Sequence, residues 1–131
     1  MYKRDLITAE IEKLAQVLAR ILGLRVELKL DEADNLFAST LANSFGLDVP
    51  VLYDTDLTSF KDWLIAQDLP ADKLDMLTEF LFHQLDAQDE DGLNNVLAQK
   101  LMFIYETLAQ KFHIVHLKHL DRQNIIKRYI S

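Results

Sequence analysis

The chain has 131 residues, half of them apolar, with a formal net charge of −7, no cysteine, three glycines and two prolines. That is the size of one ordinary domain, long enough to build a core without covalent staples. The missing cysteines exclude a disulfide scaffold, a cysteine zinc site, an iron–sulfur cluster and a thiol nucleophile, and the low Gly and Pro content excludes a loop-rich or disordered chain.

The charge is unevenly spread. Residues 1–30 hold six Lys/Arg and four Asp/Glu, residues 31–91 hold two and 15, and residues 92–131 hold six and two. An acidic middle between basic ends is read either as internal neutralisation or as an acidic face for a basic partner. An acidic chain repels phosphate, so nucleic acid is not an expected partner. The opening residues turn polar again too soon for a signal peptide, and no stretch approaches the roughly 18 apolar residues of a membrane span. The expected compartment is the cytoplasm.

Along the chain, Ile7, Ile11, Leu14, Leu18 and Ile21 recur at helical spacing, with Gly23 as the expected left-handed stop. Glu10 falls inside this stripe, at its edge. Residues 24–30 alternate apolar and polar and read as a linker or short helix; a strand paired with 49–53 is the alternative. A second helix is expected from Asp31 as N-cap to about Phe45, closed by Gly46. Residues 47–55 read as a loop pinned to the body. Further helices are expected at 57–67, at 71–87 with Pro70 in its first turn, at 93–111 and at 118–130. The run Leu101-Met102-Phe103-Ile104-Tyr105 covers more than one face, so the fifth helix should be central. The sum is an all-α single domain over 1–131, with five to six antiparallel helices in stacked helical hairpins or a bundle.

Few motifs carry chemistry. Asp89 and Asp91 before Gly92 invite a calcium-loop reading, but Ala87 and Ala98 would fill two positions where that loop needs ligands, so a solvated turn is expected. His113, His116 and His119 recur every third residue and are the candidate metal ligands; partly exposed histidines beside a core are the plainer reading. His83 reads as a peripheral core residue. There is no phosphate loop, dinucleotide turn, HExxH or nucleophile elbow, and neither an enzyme nor a cofactor is expected. Phe80, Phe82, Phe103, Tyr105 and Phe112 gather in the fourth and fifth helices and read either as core or as an exposed groove for a partner helix.

The opening Tyr2-Lys3-Arg4-Asp5-Leu6-Ile7, then Glu10-Ile11 and Leu14 to Leu24, resembles the start of a family of small helical proteins from gut Bacteroidetes and related bacteria. That resemblance implies no activity, cofactor or catalytic residue. The chain is also similar to tetratricopeptide-like helical hairpins around Leu22-Gly23 with Leu30 to Ala33, and around Gly92 with Ala98, Met102 and Tyr105, although the intervals do not match a 34-residue repeat. The expected function is therefore a non-catalytic protein-interaction or scaffolding module, its partner another protein or a second copy. The alternative is a small-molecule or metal-responsive sensor.

Overall fold

A computed structural model describes residues 3–85 and 91–130. Among these residues there is no strand. The helices are α1 (Lys3–Val26), α2 (Leu30–Thr40), α3 (Val49–Asp54), α4 (Leu57–Gln67), α5 (Ala71–Gln84), α6 (Asp91–Lys111) and α7 (Leu117–Ile126). A π turn, Leu41–Phe45, extends α2, and a 3₁₀ turn, Lys127–Tyr129, follows α7. Among the described residues the expected five to six helices become seven because residues 49–54, read as loop, are helical. Pro50 falls in the first turn of α3, where its missing N–H is not needed.

The chain divides into two compact units, Met1–Val49 and Pro50–Ser131. In the first, α1 packs against α2. Leu14 and Ile21 from α1 are buried, as are Ala33, Phe37, Leu41, Phe45 and Leu47. Gly23 does not stop α1. The left-handed residue is Leu28, at φ 62°. Its N–H reaches the Arg25 carbonyl at 3.0 Å, and the Lys29 N–H reaches the Leu24 carbonyl at 2.9 Å. That is the hydrogen-bond pattern with which glycine usually closes a helix, here built on leucine. Leu22 and Leu24 are good helix formers on either side of Gly23, so the coil runs on until the paired carbonyls are capped. The alternating segment 24–30 is therefore the last turn of α1 and the corner into α2, not a strand. Val26, Leu28 and Leu30 are exposed there. Lys29, not Asp31, precedes α2; Asp31 and Glu32 lie in its first turn, where negative charge suits the N-terminal dipole. Gly46, at φ 67°, closes the π turn as expected.

In the second unit, the Asp56 side chain accepts the Ser59 N–H at 2.7 Å and caps α4. Asp68, at φ 48°, ends it. Pro70 precedes α5. Helix α6 packs against α4, α5 and α7. Its Leu97, Ala98, Leu101, Ile104, Tyr105 and Leu108 are buried, at the spacing of a broad helical face. Phe60, Leu64, Leu74, Leu77, Phe80 and Leu81 from α4 and α5 complete the core of this unit. The acidic turn at Asp89 and Glu90, with Ala87, lies outside the described residues. Asp91 and Gly92 belong to the start of α6 instead.

Candidate functional site

Three features of the second unit stand out from its core. The first is an apolar groove of about 390 Å³, counting its open mouth, lined by Leu64, Ile65, Leu69, Leu74, Phe103 and Phe112 with Thr107, Asp68 and Lys111 at its edge. The sequence builds it from helical spacing. Lys61, Leu64, Ile65 and Asp68 share one side of α4, and Phe103, Thr107 and Lys111 share one side of α6. The Lys61 ammonium stands 4.9 Å from the centre of the Phe103 ring, and the Lys111 ammonium 5.2 Å from that of Phe112. Lys111 also meets Asp68 at 3.4 Å, between two exposed side chains, so this pair is a weak closure. Ile65 is 73% exposed at the lip.

The second feature is a polar cluster joining α5, α6 and α7. Glu79 takes Lys118 at 2.6 Å and Arg122 at 2.7 Å, with His83 at 3.9 Å. Burial raises the pKa of Glu79, but the hydrogen bonds from Lys118 and Arg122 outweigh it, and the carboxyl is held below its ordinary range. Asp75, one turn earlier, meets His119 Nε2 at 2.8 Å. His119 is buried, with its ring 5.0 Å from that of Tyr105. The Tyr105 hydroxyl makes no well-aligned hydrogen bond, although Thr78 and Arg122 lie beside it. Burial raises its pKa. The Arg122 guanidinium also lies 4.5 Å over the Phe82 ring.

The third feature is Lys100, only 2% exposed inside α6. Its ammonium donates to the Thr55 carbonyl at 2.7 Å, to Thr55 Oγ1 at 3.2 Å, to the Val51 carbonyl at 3.5 Å and to the Leu52 carbonyl. These oxygens sit at the C-terminal end of α3, the negative end of its dipole. Burial lowers the Lys100 pKa, against the pull of Asp54 and Asp56.

The residues singled out from sequence are dispersed by the fold. His113 sits in the turn after α6, at φ 58°, and is exposed, as is His116. His116 and His119 rings stack edge to face at 5.0 Å, but the buried His119 is turned to Asp75. Among the described residues, no three His, Asp or Glu side chains converge as a metal site. Phe80 and Tyr105 are core; Phe103 and Phe112 line the groove; Phe82 lies under Arg122. His83 is half-buried beside Glu79. Sequence reading missed Glu79 and Lys100. A usable signal for the cluster existed: Asp75 and Glu79 are four apart on α5, as are Lys118 and Arg122 on α7. Lys100 carried none, since nothing local marks a lysine that caps a distant helix.

A second cleft lies within the first unit, lined by Glu10, Lys13, Leu14, Val17, Ser39, Thr40, Asn43 and Ser44 beside the π turn. Its hydroxyls are largely occupied: Thr40 Oγ1 and Ser39 Oγ both donate to the Leu36 carbonyl, at 2.7 and 3.2 Å. Among the described residues, no helix is long and apolar enough to cross a membrane. Comparison with known proteins finds no matching family model, no matching curated protein and no matching solved structure.

Proposed function

We propose that this chain is a non-catalytic protein-interaction module that takes an apolar side chain of another protein into the groove between α4, α5 and α6. The observation that carries the reading is the groove itself: apolar walls, an exposed Ile65 at the lip, two aromatic rings on one side and only a weak ion pair at the edge. Water held against such walls is released when an apolar group replaces it, and the polar rim gives direction. In this reading α4, α5 and α6 act as antiparallel hairpins, joined by short connections, that hold the groove rigid. The polar cluster does not point to catalysis, because Glu79 is engaged by two cations and Asp75 by the buried His119 imidazole.

The test is site-specific photocrosslinking in the native host. A photoreactive residue in place of Ile65 should give one discrete adduct with another protein, and the same residue at exposed Gln110 should not. No adduct at 65, or equal adducts at both positions, would overturn the reading. A second reading, a small-molecule-responsive domain, uses the same groove. An apolar ligand that binds only the folded chain would raise its melting temperature, and Ile65→Glu would abolish that rise. An adduct between two copies of this chain would make the partner a second copy.

A further inference from the structure

Helix α7 is attached inside out. Its inward side carries His119, Arg122 and Gln123, and among its apolar residues only Ile126 is fully buried. Leu117, Leu120 and Ile125 are 76%, 46% and 38% exposed. A helix packed by apolar burial has the reverse pattern. What fastens α7 along most of its length is charge and polarity; its far end is held by Ile126 and by the 3₁₀ turn Lys127–Tyr129, which packs on α6. Lys118 and Arg122 meet Glu79, His119 meets Asp75, and the Gln123 amide reaches the Met102 sulfur at 3.5 Å. Two carboxylates on α5, one turn apart, thus receive three basic side chains from α7. The link to α6 is the segment 112–116, entered at His113 in the left-handed region, a strained conformation for a residue with a Cβ. Under α7 lies Tyr105, 2% exposed.

We propose that α7 is a strap: it opens as a unit about residues 112–116 while α5 and α6 stay folded, and its opening uncovers Tyr105. Elements with little buried apolar surface belong to the low-stability end of a fold, where opening precedes global unfolding. The fastening is concentrated in Glu79. Neutralising that one carboxylate loosens both Lys118 and Arg122, whereas removing either cation leaves the other in place.

Hydrogen exchange on the full chain tests this. Amides of residues 120–126 should exchange uniformly, on the order of 100-fold faster than those of residues 97–108. Glu79→Gln should speed the α7 set about tenfold further and leave 97–108 unchanged. Lys118→Gln, the milder variant, should do the same by about threefold, and it serves if Glu79→Gln fails to fold. Exchange of α7 in step with 97–108 would overturn the proposal. So would a smooth gradient rising toward residue 126, which is end fraying and not opening of a unit, or a variant that accelerates both helices equally.

Discussion

Lys100 and Glu79 are both charged groups largely withdrawn from water in the second unit, and they are accommodated in opposite ways. Lys100 is ringed by oxygens that do not titrate, the carbonyls of Val51, Leu52 and Thr55 and the Thr55 hydroxyl, all from the end of one short helix. Glu79 is met by two cationic side chains, Lys118 and Arg122, that arrive from α7. In the first case one ammonium donates to several fixed dipoles at once, and so ties α6 to the end of α3. In the second, any one cation is backed by another, so the cluster yields in steps. A buried charge therefore does not have one structural meaning. Its effect depends on whether its partners are backbone atoms, which cannot move away, or side chains, which can.

The largest effect should come from Lys100. Lys100→Ala removes a buried stem and leaves the Leu52 and Thr55 carbonyls at the end of α3 without the ammonium donor, a loss of about 3–5 kcal/mol in chemical denaturation. Lys100→Met keeps the stem and should lose about half of that. Glu79→Gln should lose about 1–3 kcal/mol, because Arg122 keeps its contact with the Phe82 ring and a side-chain carbonyl still accepts from Lys118. Equal losses for Lys100→Ala and Glu79→Gln would break the comparison.

The pH dependence of stability sharpens it. Cations hold the Glu79 pKa below its ordinary range despite burial, so the folded state binds that proton less readily than the unfolded chain. The contribution is present above the unfolded value and is lost as pH falls through the lower, folded one. Glu79→Gln should therefore flatten the acid limb of the stability curve. Lys100 does not change charge there. Lys100→Met should displace the curve downward by a near-constant amount from roughly pH 5 to pH 7, with a smaller change on the acid limb than Glu79→Gln, since Lys100 is the least of the influences on the Asp56 pKa. Melting curves of the three proteins across that range and the acid limb decide it.

How much of this was legible in the sequence follows from the range of the forces. The helices at 57–67, at 71 onward and in the nineties to 111 were readable because apolar period is local and Pro70 marks the start of the next coil; the cap Asp56, equally local, went unread. Gly23 misled because a glycine permits a left-handed stop without requiring one, and the carboxyl-terminal hydrogen bonds closed on Leu28 instead. Residues 49–54 misled because a proline in a first turn looks, in isolation, like a proline in a loop. Of the grouped aromatic residues, Phe112 lies just past α6 and not on a helix, and burial sorted the rest of the set: Phe80 and Tyr105 inward, Phe103 to the groove beside Phe112. His119 was singled out for its spacing from His116, whereas its partner is Asp75, forty-four positions away. Pairings of that reach are set by tertiary packing, which no local pattern encodes.

The smallest effect is the most discriminating. Asp56 is a carboxylate near Lys100, and it draws the ammonium toward its charged form. If Lys100 were held as Glu79 is, by opposite charge, removing that carboxylate would loosen it. Asp56 is also a cap, and its own pKa is lowered first by the backbone N–H of Ser59 and then by the Ser59 side chain. Asp56→Asn keeps an oxygen for the Ser59 N–H and deletes only the charge. With neutral carbonyls holding Lys100, the melting temperature should fall only by the little that the charge adds to the cap at the start of α4, while Glu79→Gln lowers it by several degrees, about 4–8 °C per kcal/mol in a unit of this size. A drop for Asp56→Asn as large as that for Glu79→Gln would mean that the cage works through distant charge after all. The two sites would then differ only in degree.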